Sequence, residues 1–163
     1  MTGVGLTLRA LHDGERALER AFLTAAERHR ADHEIHHVLT DIARWSREHS
    51  TRLAETGRAH GLDLTGAHDD ATPGVLGALR EKAASAFGRR PEAGLLLLRD
   101  LTDLHLAAAR NSLLWEMLAQ AAQATRDDRL LGLAAACHPQ TLRQMRWTNT
   151  MVKELSPQLL TSV

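Results

Sequence analysis

The sequence predicts an all-α protein, a four-helix bundle of two antiparallel helix pairs joined by a long crossover. Three observations predict this fold. Apolar residues make up 44% of the chain and are mostly Ala and Leu, whereas aromatic residues make up 3% and Tyr is absent, a supply that favours helix over sheet. Four segments place apolar residues at alternating spacings of three and four, the repeat of one helix face. A stretch of about 30 residues without that repeat separates the second segment from the third.

The first predicted helix covers about residues 6–30 and the second about residues 32–60. Asp32 is a suitable N-cap for the second helix, and Gly61 stands where a glycine C-cap is expected. Because the join near Ala31 is short, the two helices are expected to lie antiparallel. The first apolar stripe contains Leu8, Leu11, Glu15, Leu18, Phe22 and Ala25, and the second contains Ile35, Val38, Ile42, Trp45, His49, Leu53 and Thr56.

Glycines and prolines interrupt residues 61–91, which we expect to form the crossover. A short helix is predicted at about residues 75–87, with Thr72 as its cap and Pro73 in its first turn. A 25-residue helix is ~38 Å long, and an extended chain spans that distance in ~12 residues, so this segment is long enough to run the length of the bundle.

The third and fourth helices are predicted at about residues 92–125 and 127–160, within one domain that covers residues 1–163. Pro139 is expected to kink the fourth helix, or else to break it into two pieces near His138. The third stripe contains Leu97, Leu101, Leu104, Ala108, Asn111, Trp115, Leu118 and Ala122, and the fourth contains Leu131, Ala134, His138, Leu142, Met145, Asn149, Val152 and Leu155.

Charge and composition argue against several classes of partner and location. Twenty basic residues balance twenty acidic ones, so the net charge gives no basis for binding nucleic acid or an anionic membrane. The longest aliphatic run, residues 95–98, is far shorter than a membrane span. A single cysteine, Cys137, and an N-terminus without signal-peptide features lead us to expect a cytoplasmic protein. The ten histidines fit either the codon usage of a GC-rich bacterial genome or metal binding.

Helix order and several local motifs suggest a family. The motifs are residues 11–15 (LHDGE) in the first helix, Glu48 and His49 in the second, and residues 141–149 in the fourth. Over about residues 6–155 the chain resembles the ferritin-like superfamily, especially its small bacterial four-helix members. The resemblance implies a bundle with a long crossover between the helix pairs.

Di-metal members of that superfamily carry a glutamate on each of two helices and Glu-x-x-His on each of the other two. By this resemblance Glu15 and Glu48 correspond to glutamate ligands, and Asp103 is the carboxylate nearest to a ligand position on the third helix. Thr51 stands where a histidine is expected after Glu48, and the fourth helix reads Arg-Gln-Met-Arg at residues 143–146. Since a guanidinium cannot bind a metal ion, the ligand set is degenerate.

Two polar residues, Glu15 and His49, interrupt the apolar stripes, and they fall at the same depth of an antiparallel pair that turns near residue 31. They either pair with each other or with Arg146, or they bind one metal ion or a small polar ligand. The predicted layer contains Glu15, His49, His105, Asn111 and Asn149, with Asp103 and Arg146 at its edge. The metal ligands, if a metal is bound, are expected to be Glu15, Glu48, His49, Asp103 and His105.

Three further patterns have two interpretations each. His29, His33 and His37 recur every four residues and are either a surface metal site or a solvated helix end. Cys137 is either core filler or a nucleophile, and no Ser-His-Asp arrangement is evident. The stripe of Gln140, Gln144, Trp147 and Met151 either packs against the crossover helix or forms a dimer surface.

No motif names a reaction, so enzymatic activity is left open, with the balance against it. We expect a cofactor-free bundle that acts as an interaction or small-molecule-binding protein and forms a homodimer. The alternative is a metal-dependent oxidoreductase or metal-storage protein that uses iron or another transition metal. A different kind of helical binding protein, such as a regulator, is a third possibility.

Overall fold

A computed structural model describes residues 1–66 and 92–162, and within them the chain forms four helices and no strand. They are α1 (Gly3–Arg28), α2 (His33–Ala59), α3 (Ala93–Thr125) and α4 (Asp128–Thr161). The prediction of an all-α chain with four long helices is confirmed. The predicted short helix at residues 75–87 and its cap Thr72 lie outside the described residues. None of the described helices combines the length and the hydropathy that a membrane span requires.

Local sequence sets the helix ends. The side chains of Asp32 and Asp127 accept hydrogen bonds from the backbone N–H groups of Ile35 and Leu130, each at 3.1 Å, so both are N-caps. Gly61 follows α2 with a φ of 73°, a left-handed conformation that glycine adopts without strain. The predicted capping roles of Asp32 and Gly61 are therefore confirmed.

Pro139 lies inside one continuous helix. α4 extends from Asp128 to Thr161 and contains both Pro139 and Pro157. The interpretation that the fourth helix breaks near His138 is therefore wrong. Proline removes one backbone hydrogen bond, and the helix nevertheless continues on both sides of it, in contact with α2 and α3.

The four helices surround a common interior. α1 contacts α2 and α3, and α4 contacts α3 and α2, whereas among the described helices the α1–α4 and α2–α3 pairs make no substantial contact and lie diagonally. Contacts between neighbours fix their register: the α1 residues Glu15 and Arg28 meet Trp115 and Asp100 of α3. Similarly, Gln140 of α4 meets α2 at His49. This is the arrangement of a four-helix bundle.

The apolar core consists of two clusters at different levels of the bundle. The first contains Leu18, Phe22, Ala25, Ala26, Ile35, Leu39, Ile42, Ala43, Leu97, Leu101, Leu104 and Ala108. The second contains Leu8, Leu11, Leu53, Leu64, Trp115, Leu118, Ala122, Leu130, Leu133, Ala134 and Cys137. On α1, α2 and α3 the residue numbers of the two clusters leave a gap, so a separate layer lies between them.

The face that α4 buries differs from the predicted one. Its buried residues are Leu130, Leu133, Ala134, Cys137, Thr141, Gln144 and Thr148. In the predicted stripe, Leu142 is 43% exposed and Asn149 is also exposed. The prediction failed because the more apolar stripe of the helix was assigned to the interior, whereas tertiary hydrogen bonds hold the amide of Gln144 inside. Gln144 Nε2, for example, donates to the Ile42 carbonyl and to Ser46 Oγ, each at 3.0 Å.

Candidate functional site

A buried polar layer fills the gap between the two apolar clusters, and each helix contributes to it. Its members are at most 8% exposed. A charged side chain in this layer loses its hydration, which costs free energy unless a partner replaces the water. Glu15, His49 and Asn111 lie in this layer, as predicted. The full set is His12 and Glu15 on α1, Ser46, His49 and Ser50 on α2, Asn111 and Ser112 on α3, and Thr141 and Gln144 on α4.

Glu15 is fully buried and only half satisfied. Its Oε1 accepts a hydrogen bond from Trp115 Nε1 at 2.9 Å and lies 3.3 Å from His49 Nδ1. The rings of His49 and Trp115 meet edge to face with centroids 5.8 Å apart. No hydrogen-bond partner of Oε2 exists within the described residues. Since a buried carboxylate normally satisfies both oxygens, this one has spare acceptor capacity.

The far side of His49 connects the layer to α4. Its Nε2 donates to Gln140 Oε1 at 2.7 Å, which links α1, α2, α3 and α4 through Trp115, Glu15, His49 and Gln140. Such a chain of polar contacts fixes the rotation of each helix about its own axis. Sequence reasoning found Glu15 and His49, because they break apolar stripes, but missed Trp115 and Gln140 as their partners.

Several other polar atoms of the layer lack partners among the described residues. The buried atoms without a hydrogen bond include His49 Nδ1, Asn111 Nδ2, Thr141 Oγ1 and Gln144 Oε1. Native interiors contain only a few such groups per hundred residues. Their concentration in one layer makes it a place where a polar ligand gains hydrogen bonds.

Burial also changes the acidity of His12 on α1. The side chain is 3% exposed, and loss of hydration lowers its pKa below the usual value, with Asp13 opposing the shift. His12 is therefore predominantly neutral at pH 7, because desolvation disfavours its charged form.

A cleft between α1 and α3 reaches the layer from outside. It has a volume of about 670 Å³, is open to solvent, and meets the layer at Gly14 and Asn111. A Cβ added at Gly14 would lie 2.4 Å from Asn111 Oδ1, so glycine is needed for this close approach. The floor is formed by small and aliphatic residues: Ala17, Leu18, Ala21, Ala25, Leu104 and Ala107. Its charged lining residues are four arginines and two aspartates: Arg20, Arg28, Arg99, Arg110, Asp100 and Asp103.

A partly buried ion pair closes the other end of the cleft. Arg28 Nη1 donates to both carboxylate oxygens of Asp100 at 2.8 Å, and His29 Nε2 lies 2.7 Å from Asp100 Oδ2. Asp100 is 7% exposed, and His29 is 8% exposed. The group ties the end of α1 to the start of α3 and neutralises one of the two carboxylates in the cleft.

The predicted histidine site is not assembled. His29 is committed to Asp100, whereas His33 and His37 are exposed, and the His37 ring packs against His36. In residues 1–66 and 92–162 no group of three or more His, Cys, Asp or Glu side chains is placed to hold one metal ion. The three histidines therefore do not form a shared site.

Three of the five residues of the predicted interior metal set are separated from the other two. Glu15 and His49 are in contact, but Glu48 and Asp103 are exposed. His105 is partly buried, and its Nδ1 lies 2.9 Å from Thr148 Oγ1. Glu48 points about 100° away from its neighbour His49 around α2. Asp103 and His105 lie at a different level of the bundle, because α3 meets Glu15 at Trp115 and meets Arg28 at Asp100.

The prediction that Arg146 lies at the edge of the polar layer is wrong. Arg143 and Arg146 are exposed, and Gln144 between them takes the interior position. Arg146 and Asn149 are both exposed because α4 buries a different face from the predicted one. No protein cation from α4 therefore balances Glu15.

The predicted dimer face packs inside the bundle. Gln140 and Gln144 bond to α2, and Trp147 and Met151 pack against the first apolar cluster. Within the described residues that stripe therefore faces the bundle interior, and its packing against the crossover helix stays a prediction. Self-association of the chain stays a prediction, and this stripe does not provide its surface.

Cys137 and Ser112 are possible nucleophiles, but their surroundings do not activate them. Cys137 is fully buried, and burial raises the pKa of its thiol to about 11, so the reactive thiolate is scarce. Ser112 Oγ lies 2.8 Å from His138 Nε2, a contact that the sequence did not suggest. Within the described residues no carboxylate bonds to His138, so a Ser-His-Asp triad is not formed.

Searches of protein-family models, curated proteins and solved structures found no match to this chain. The resemblance to the ferritin-like superfamily stays a prediction from helix order and motifs.

Proposed function

We propose that this chain is a ferritin-like bundle that binds a small molecule in the cleft between α1 and α3. The observation that carries the proposal is the cleft itself, about 670 Å³ in volume, which is lined by the buried Asn111, whose Nδ2 has no hydrogen-bond partner among residues 1–66 and 92–162. Ligand pockets typically have ~300–1,000 Å³, apolar walls and a few polar groups that orient the ligand. This cleft meets all three criteria.

The register of the helices supports the ferritin-like topology. Glu15 and Arg28 ascend along α1, while their partners Trp115 and Asp100 descend along α3, as expected for antiparallel neighbours. His60 at the end of α2 bonds to Asp127 at the turn between α3 and α4. The start of α3 lies at the opposite level, near Arg28, and this placement supports a connection from α2 that runs the length of the bundle. We propose that two antiparallel pairs joined by this crossover form the fold.

Binding of Nile red, an uncharged apolar dye, tests the proposed site. Ala21 lies on the exposed part of the cleft floor, so Ala21→Leu is expected to fill the cleft without disturbing the core. The exposed Ala135 on α4 lies outside the cleft and allows the same substitution as a control. We expect Ala21→Leu to suppress dye binding and Ala135→Leu to leave it unchanged. Equal dye binding by both variants would contradict the proposal.

A second candidate is a single transition-metal ion at the Glu15–His49 contact. It is favoured by one observation: Glu15 Oε2 and His49 Nδ1, a carboxylate oxygen and an imidazole nitrogen, are both buried and have no hydrogen-bond partner in the described part of the chain. Elemental analysis of the purified protein distinguishes the two candidates. Stoichiometric iron or manganese that disappears in Glu15→Ala supports the metal site, whereas metal-free protein with an unchanged melting temperature after iron addition contradicts it.

A further inference from the structure

We infer that the ligand of the α1–α3 cleft is a straight-chain organic carboxylate, with its head near Arg20, Arg110 and Asn111 and its alkyl chain along the alanine floor. The inference rests on the proposed function and specifies its ligand class. It follows from the distribution of charge, donors and small side chains along the cleft.

The charge left in the cleft is positive. Arg28 and His29 already hold Asp100, so its carboxylate is not available to repel an anion. In the structure described here, neither Arg20 nor Arg110 forms an ion pair, and both are exposed. Asp103 is the one remaining carboxylate in the lining. A carboxylate head gains two charge-assisted hydrogen bonds from these guanidinium groups without breaking an existing pair.

A donor group of the interior also borders the head position. Asn111 is 2% exposed, lines the cleft, and has an unpartnered Nδ2. Glu15 lies beyond it in the layer, and its unpaired Oε2 repels an anion from the deeper interior. The head group is therefore expected to stay at the cleft, beside the arginines, rather than enter the layer.

The shape of the floor favours an extended apolar body. Ala17, Ala21 and Ala25 recur every four residues on α1, so their small side chains line up along the helix axis. Leu104 and Ala107 are the part of the floor that α3 contributes. The cleft reaches from Gly14 to Arg28, which corresponds to roughly 21 Å of helix. A linear alkyl chain follows such a groove, whereas a branched or globular ligand does not.

Calorimetric titration of the full chain with dodecanoate, below the concentration at which it forms micelles, tests the inference. We expect saturable binding with one site per chain. Arg20→Gln combined with Arg110→Gln is expected to weaken it roughly tenfold, because each exposed ion pair contributes modestly. The control combines Arg143→Gln and Arg146→Gln, two exposed arginines on α4 outside the cleft, and should bind as the wild type does.

Probes that share the same alkyl chain separate the ligand class from the existence of the site. Dodecyltrimethylammonium and dodecanol are expected to bind at least tenfold more weakly than dodecanoate. If all three bind equally and Ala21→Leu blocks them, the cleft is a binding site, and the carboxylate assignment is overturned. If dodecanoate does not bind while Nile red binding still depends on Ala21, the same conclusion holds. If Ala21→Leu affects no probe, both the inference and the proposed function are wrong.

Discussion

Substitutions at Glu15 test what the buried polar layer contributes to stability. In Glu15→Ala the Trp115 N–H loses its acceptor, and an unsatisfied buried donor costs about 1–3 kcal/mol. The substitution also removes a buried methylene, which contributes ~0.8 kcal/mol. Relief of the unpaired Oε2 offsets part of this loss. We therefore expect Glu15→Ala to lower the free energy of unfolding by about 2–4 kcal/mol.

Glu15→Gln is expected to behave differently, because glutamine keeps an oxygen that can accept from Trp115. It also removes a buried negative charge that no described cation of α4 balances. The change in stability is expected to stay within ~1 kcal/mol of the wild type. The comparison between the two variants therefore isolates the acceptor role of Oε1 from the charge of the carboxylate.

Urea unfolding, followed by tryptophan fluorescence and by circular dichroism, measures both variants. Glu19→Gln is the matched control, since Glu19 pairs with Arg47 near the surface and its loss should cost less than ~1 kcal/mol. A cost of 3 kcal/mol or more for Glu15→Gln, similar to that of Glu15→Ala, would refute the reasoning. Such a result would mean that Glu15 and His49 form a buried charge pair, in which loss of one charge typically costs ~3–5 kcal/mol.

Three further predictions follow from the helix ends, the thiol and α4. His60 donates to Asp127 and to the Thr56 carbonyl, which raises the pKa of His60, and the same contact lowers the pKa of Asp127. The pair therefore stabilises the fold between the two shifted values, and its contribution is lost as pH rises through the pKa of His60 or falls through that of Asp127. His60→Gln should lower the midpoint of urea unfolding at about pH 5.5 and leave it unchanged at about pH 8.5. An equal loss at both pH values would contradict this. Cys137 should react with Ellman's reagent at about pH 8 only as fast as the chain unfolds, because its thiol is buried and weakly acidic, whereas rapid labelling of the folded protein would show an accessible thiolate. Pro139→Ala should raise the free energy of unfolding by about 1–3 kcal/mol, since the position is exposed inside a continuous helix, and a loss of stability in urea unfolding would show that the proline is needed there.

The candidate site was only partly predictable from the sequence. A glutamate and a histidine in apolar stripes identified the polar layer, because charged groups are rarely buried without a reason. The partners of Glu15 and His49 could not be inferred, since Trp115 fits an apolar stripe equally well and Gln140 stood on a face assigned to the outside. The cleft was not predicted at all, because it depends on how closely α1 and α3 approach at Gly14 and on which of their side chains are small, and the approach is a tertiary property.

Composition and periodicity by themselves determined that the chain forms four long helices, and capping residues such as Asp32 and Gly61 set their ends. These features depend on interactions within a few residues along the chain. Only the tertiary structure decided which face α4 buries. Thr141, Gln144 and Thr148 look like surface residues in the sequence, and Gln144 becomes an interior residue because α2 supplies hydrogen-bond acceptors for its amide. The rotation of a helix with two comparable faces is set by partners far away in the sequence, and a local pattern contains no information about them.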